Sequence, residues 1–309
     1  GYRVIYIFRY GSIVPYSRGI NYSSKSNDPF QILSMLGRSD NKLFLIVDGY
    51  KKDLIIKEIE CTKKAVNEKL LVTVGFETLE DYLILLEHTA LLLKPLKSLA
   101  CFYLAAAVSD FHIPADKMVS HKIQSSAGLT LQLDQVPKKL KTLTEIWAPD
   151  AFFVSFKLET DENILFEKAK KAIINYNVNL VIANILHTRQ KECYFVQKKI
   201  AGREEFSMDK VVKPEGFSQI EPLLIEQVKN EHFKYIEVVS EKDLNRKATN
   251  KNGFNLCKNK VFQDYINLVN NEDKYERTQK LDKNVNKLSN YMFIAVFSIS
   301  FITGLYLGK

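Results

Sequence analysis

Three runs of strand-forming residues in this sequence end on side chains that could do chemistry. "YLAAAVSDF" starts apolar, narrows to Ala105, Ala106 and Ala107, and finishes on Ser109 and Asp110. "AFFVSFK" runs through Phe156 into Lys157, and "NLVIAN" stops on Asn184. Small side chains let a planar ring or a sugar approach the backbone. A carboxylate just beyond them accepts hydrogen bonds from a ligand or holds a metal ion. Lys122 follows in a stretch of alternating polarity. Two lysines converging on one edge favour a phosphate or a developing oxyanion. The set points to binding of a nucleotide or a phosphate. Each member also has a purely structural reading: Asp110 and Asn184 can end turns, the lysines can be solvated surface, and the alanines can reflect close helix–sheet packing.

These groups meet only if the elements carrying them line up. Residues 2–8, "YRVIYIF", read as a strand, followed by a loop rich in Ser, Asn, Gly and Pro up to Pro29. Residues 42–50 form a strand or an apolar insertion, 53–69 a helix and 71–76 a strand. Thr78 with Asp81 three positions on is a capping pair opening a helix through Leu93. A strand is expected over 99–108, then a hairpin turning near 125–128. Pro137 is placed to start a helix running to Trp147. A strand at 151–156 precedes a helix at 161–175, with Ile164, Leu165, Ala169, Ala172 and Ile173 on one side. Strands at 179–184 and at "CYFVQ" follow, then a helix near 220–231. Alternating strands and helices specify an α/β fold with a mostly parallel sheet. Ligands of such sheets bind outside the carboxyl ends of the strands, where the residues singled out above lie.

Composition narrows the class further. The chain has 309 residues, 46% hydrophobic and 26% charged, enough for one large core or two modest ones. Cysteines 61, 101, 193 and 257 lie far apart, with no zinc or C-x-x-C spacing, which fits a reducing compartment. No Walker loop, dinucleotide fingerprint or G-x-S-x-G elbow occurs. His112, His121 and His187 stand in no partner pattern. The net charge is +8, yet residues 245–290 alone hold ten Lys and Arg against five Asp and Glu. No basic stripe interleaved with aromatics marks the rest, so nucleic acid is not an expected partner.

The organisation expected is an α/β domain over 1–243, an Asn/Lys-rich linker over 244–290, and a hydrophobic tail over 291–309. Residues 291–307 carry no charge over seventeen positions, the short limit for a membrane-spanning helix. The tail is therefore a candidate membrane anchor. The opening on Gly1, directly before a strand, reads as that of a fragment or a processed product.

The motifs "FYLAAAVSDF", "HKIQSS", "VPKKL", "WAPDAFFVSFKLETD" and "VIANILHTRQ", in this order, resemble phosphopantothenate–cysteine ligases of the eukaryotic type. "FRYGSIVPYSR" and "LKPL" agree, and the resemblance covers about residues 1–240. It implies a Rossmann-like three-layer sandwich with a β-hairpin flap, and ligation of 4′-phosphopantothenate to cysteine through an acyl-nucleotidylate. ATP is the implied nucleotide rather than CTP, with Mg2+. A cytoplasmic homodimer is implied too, membrane-associated only if the tail inserts.

Carried over by resemblance, Leu104, Ala105 and Ala106 are the backbone facing the nucleotide, and Asp110 is an acid contacting it. Lys122 is the essential flap lysine facing phosphate. Val136, Pro137, Lys138 and Lys139 form the turn lining the nucleotide, with Phe156 and Lys157 beside it. Asn184 and Arg189 are the weaker, substrate-binding matches; no metal ligand is assigned. Two departures stand out. Ala172 and Tyr176 occupy positions where bacterial members have lysines, in keeping with a different base preference. The family's opening strand and Asn-x-Ser-Ser-Gly turn, with its catalytic asparagine, has no match at the front; "NYSSK" at 21–25 lacks the glycine and follows the strand. The competing expectation is a non-catalytic nucleotide-binding or dimer-forming relative.

Overall fold

The structure is a computed structural model that describes residues 2–12, 14–16, 33–39, 42–47, 52–114, 117, 131–199, 205–244 and 292–298. In chain order its elements begin with β1 (Tyr2–Arg9), β2 (Leu33–Ser39), β3 (Lys42–Val47), α1 (Lys52–Asn67), β4 (Leu71–Phe76) and α2 (Leu79–Leu93). A 3-10 turn at Lys94–Leu99 leads into β5 (Ala100–Ala105), then β6 (Phe111–His112) and β7 (Asp134–Gln135). The short α3 (Leu140–Thr142) continues as a π-helical turn, Leu143–Trp147. The remainder comprises β8 (Phe152–Glu159), α4 (Glu162–Tyr176), β9 (Leu180–Ile185), β10 (Glu192–Lys198), β11 (Phe206–Val212), α5 (Glu221–Leu244) and β12 (Met292–Ser298).

Eight strands form one sheet in the order β11-β10-β9-β8-β5-β12-β1-β4. The run from β9 to β4 is parallel, and β10 and β11 close one edge antiparallel. β2 with β3, and β6 with β7, make two separate antiparallel pairs.

Side chains two apart share a sheet face, so each central strand feeds two cores. Phe102, Phe153, Val181 and Val196 join one core, under Leu86 and Ala90 of α2 and Leu165 and Ala169 of α4. Cys101, Phe152, Leu180 and Phe195 join the other, under Leu224 and Val228 of α5. Burial on both faces explains why these strands read as unbroken apolar runs. The α/β class and the mostly parallel sheet are as expected from the alternation.

Several boundaries follow local chemistry. Thr78 Oγ1 accepts from the Asp81 N–H at 3.1 Å, and an Asp81 carboxylate oxygen accepts from the Thr78 N–H at 3.1 Å. A cap of this kind stabilises a helix by about 1 kcal/mol, and α2 runs from Leu79 to Leu93 as its sequence indicates. Asp161 caps α4 in the same manner, accepting from the Asn163 N–H at 2.9 Å. β5 ends at Ala105, short of the expected Val108, and the helix expected from Pro137 begins at Leu140. The Pro137 carbonyl instead accepts from the Lys139 N–H at 2.9 Å. α5 extends past the expected 231 to Leu244.

The largest departure lies at the tail. Residues 292–298 are the strand β12, parallel between β1 and β5. Ala295 is fully buried there, and Val296 packs against the α5-side core. The expected membrane anchor is therefore corrected over these residues. A strand buried on both faces and a spanning helix are both long apolar runs, so hydropathy does not separate them. Among the described residues, no helix is long and apolar enough to cross a membrane.

His232 on α5 is fully buried between stacked Phe152 and Tyr2 rings, at 5.1 and 5.7 Å between centroids. The Ser98 carbonyl lies 2.8 Å from Nε2 and can only accept, so Nε2 carries the hydrogen. Nδ1 then accepts from the Tyr2 hydroxyl at 2.7 Å. Burial lowers the pKa of His232 below its ordinary value. The unfolded chain thus takes up this proton more readily than the folded protein. The stability His232 contributes is complete above an ordinary histidine pKa of about 6.5 and is lost as pH falls below it. Tm should drop between pH 7.5 and 5.5, and drop less in His232→Phe, which keeps a ring but does not titrate. Equal slopes in the two proteins would remove His232 from this account.

Candidate active site

The carboxyl edge of the sheet is stepped. Ala105 at the end of β5 is level with Ser298 of β12, and Ser298 is level with Phe8 of β1. β8 reaches further. Its last partner on β5 is Leu104, opposite Ser155, and Phe156, Lys157, Leu158 and Glu159 pair only with β9. The overhang of β8 and β9 stands beside the lower step made by β5, β12 and β1.

At the lower step the backbone leaves the sheet after Ala105. The Ser109 hydroxyl donates to the Phe111 carbonyl at 2.7 Å and accepts from the Phe111 N–H at 3.2 Å, which fixes the bend. Asp110 is exposed on this bend, and its carbonyl accepts from the Val136 N–H at 2.9 Å. That bond and the β6–β7 pairing bring together two segments far apart in sequence: Leu104, Ala105, Ala106 and Asp110 with Val136, Pro137, Lys138 and Lys139. Lys117 adds an ion pair to Asp134 at 3.1 Å across the same ladder. This ladder joins the segments on either side of the sequence where the hairpin flap is expected. The span expected to form it, with Lys122, lies outside the described residues.

The turn presents Pro137 and Lys138 to solvent over a buried Val136. The Lys139 ammonium sits 6.0 Å above the Trp147 ring, within reach of a cation–π attraction that steadies it.

The overhang separates its two candidates. Phe156 lies on the α5 side, edge-on to Tyr103 of β5 at 5.0 Å between centroids. Lys157, one residue on, faces the other way. Its ammonium is 3.6 Å from Glu159, whose other oxygen is 2.7 Å from Lys168 of α4. Lys157 is thus paired within an α4-side cluster rather than placed beside Phe156. Sequence reasoning passed over Glu159. Its spacing in "KLE" was the available signal, because two positions along a strand return to the same face.

Asn184 and Arg189 lie farther out, at and beyond the end of β9. The Asn184 side-chain oxygen is buried with no hydrogen-bond partner among the described residues. Arg189 donates from Nη1 to the Leu186 carbonyl, closing the turn after β9. Among the described residues no group of three or more His, Cys, Asp and Glu is placed to hold a metal ion.

Comparison with known proteins gives this edge a context. Residues 87–205 match the family "DNA/pantothenate metabolism flavoprotein C-terminal domain". The chain is 43% identical over 187 residues to a rice phosphopantothenate–cysteine ligase, with 60% of this chain and 55% of that protein covered. To the human phosphopantothenate–cysteine ligase it is 36% identical over 241 residues, covering 76% of this chain and 74% of the human protein. The chain thus spans little more than half of the first relative and about three quarters of the second. A Cab2 mutant, solved in complex with phosphopantothenate-cysteine, superposes with a TM-score of 0.67 at 34% identity, over 78% of this chain and 75% of that one. With the human enzyme 36% identical and covered over 74% of its length, more than two thirds, the chain belongs to the phosphopantothenate–cysteine ligase family.

Proposed function

We propose that this chain joins 4′-phosphopantothenate to cysteine on the route to coenzyme A, using ATP. The observation that carries the reading is the likeness, in fold and at 34% identity, to the Cab2 mutant complexed with phosphopantothenate-cysteine.

A carboxylate does not react with an amine until one of its oxygens becomes a good leaving group. The substrate carboxylate attacks the α-phosphorus of ATP, forming an acyl-adenylate and expelling pyrophosphate. The cysteine amine then adds to the acyl carbon and AMP leaves. Negative charge grows on phosphoryl and acyl oxygens in both steps, so fixed cationic donors lower both barriers.

Within that scheme, the backbone of Leu104, Ala105 and Ala106 and the carboxylate of Asp110 bind the nucleotide from the lower step. Val136, Pro137, Lys138 and Lys139 line its other side, and Lys122 meets the phosphates. Phe156 walls the pocket, with Lys157 behind it in the α4-side cluster. Asn184, with its unpartnered buried oxygen, and Arg189 serve the phosphopantothenate end. With a triphosphate as substrate, Mg2+ would be carried on the phosphates and touched by one or two carboxylates at most. Bound there, Mg2+ would neutralise triphosphate charge.

Cys61, Cys101 and Cys193 are free thiols, which fits a reducing cytoplasm as the setting. The family resemblance supports a homodimer. The test is turnover by the complete chain. Over many turnovers, AMP and pyrophosphate should accumulate only when phosphopantothenate and cysteine are both present, faster with ATP than with CTP. No ligated product with either nucleotide would sink the reading, and a preference for CTP would overturn the choice of nucleotide.

A further inference from the structure

We infer that the C-terminal strand β12 is a working wall of the nucleotide crevice rather than a detachable tail, a step that rests on the ligase reading for the identity of the ligand. The argument starts from the order of winding. On one side of β12 the chain proceeds outward through β5, β8 and β9; on the other it proceeds through β1 to β4. The link through α2 carries it from β4 back across β1 and β12 to β5. Open parallel sheets bind ligands where the winding reverses, outside the carboxyl ends of the strands. Here β12 itself occupies the reversal.

Its position there is specified along its whole length. Residues Met292 to Ser298 are in register with Tyr2 to Phe8 of β1, and Phe293 to Ser298 with Ala100 to Ala105 of β5. Ala295 and Val296 alternate between the two cores as the neighbouring strands do. Without β12, β1 and β5 would be two strand spacings apart, about 9.6 Å, too far for backbone hydrogen bonds. The lower step of the edge would then have no floor between Ala105 and Phe8. β12 ends at Ser298, level with Ala105 and beside the segment from Leu104 to Asp110. The strand therefore fixes the distance between the two halves of the sheet and contributes its own carboxyl end to the ligand edge.

Two variants of the complete chain test this. Ile294 is the register partner of the native free Cys101. Neighbouring strands hold such partners at about 4.8 Å, within the range a disulfide spans. Ile294→Cys, refolded with oxidised glutathione, should yield a 101–294 disulfide within one chain, mapped by mass spectrometry. Absence of that link, its replacement by links to Cys61, Cys193 or Cys257, or a covalent dimer would overturn the placement.

The second variant, Ala295→Asp, puts a carboxylate at a fully buried position of β12. It should lose ATP binding measured by calorimetry, while the unsubstituted chain binds. ATP binding equal to that of the unsubstituted chain would overturn the role of β12 in the crevice. If the unsubstituted chain binds no ATP although the 101–294 link forms, the nucleotide assignment falls and the strand assignment stands.

Discussion

Phe102→Ala should destabilise the protein by about 3–5 kcal/mol, a large share of the roughly 5–15 kcal/mol that holds a typical domain folded. Phe102 is fully buried on β5, next to the reversal of the sheet. Its ring stacks on Phe153 of β8 at 5.1 Å between centroids, in the core shared by α2, the π-helical turn and α4. Truncation removes that stack and leaves a cavity bounded by three helical segments and a sheet, none of which can close over it alone. Chemical denaturation should show an earlier midpoint with an unchanged slope. Phe102→Leu keeps much of the volume and should cost less than half as much. A loss below about 1 kcal/mol for the alanine variant would mean that β5 is not the spine of this core.

Lys122→Ala should lower kcat by about 10²–10³-fold, the loss seen when one fixed donor to a developing charge is removed. The expectation rests on the proposed activation of the carboxylate, where charge gathers on phosphate oxygens, and on the family resemblance around "HKIQSS". Tm should not move, which separates this variant from Phe102→Ala. Lys122→Arg keeps the charge but changes its shape and should recover part of the rate. Unchanged turnover in Lys122→Ala would place charge stabilisation elsewhere on the edge, with Lys138 and Lys139 the next residues to substitute.

Local signals were legible where one element carried them whole. Thr78 and Asp81 announced the start of α2; of the five residues expected on one side of α4, Leu165, Ala169 and Ile173 are buried, Ala172 is half-buried and Ile164 is exposed. Strand ends were legible only to within a few residues: β5 stops at Ala105 rather than at Val108, and β9 runs past Asn184 to Ile185. What required coordinates was pairing between elements. The grouping of Lys157 with Glu159, and of Glu159 with Lys168 of α4, is one such pairing. The edge strand β11 was overlooked because charges at Asp209 and Lys210 break its alternation on an exposed edge. β12 was hidden for the opposite reason: its run of Met292, Phe293, Ile294, Ala295, Val296 and Phe297 is too uniformly apolar to show a period.

The position of β12 also orders the protein's birth. Chains leave the ribosome amino end first, at about 5–20 residues per second. Among the described strands the one needed at the middle of the sheet is made last. Until it emerges, β1 and β5 both carry unpaired edges, and pairing of Tyr2 with Met292 joins residues very far apart in sequence. Contacts so distant in sequence form slowly. The newborn protein therefore passes through a stage of two half-sheets with sticky inner borders, the stage at which a chaperone that shields strand edges would matter most.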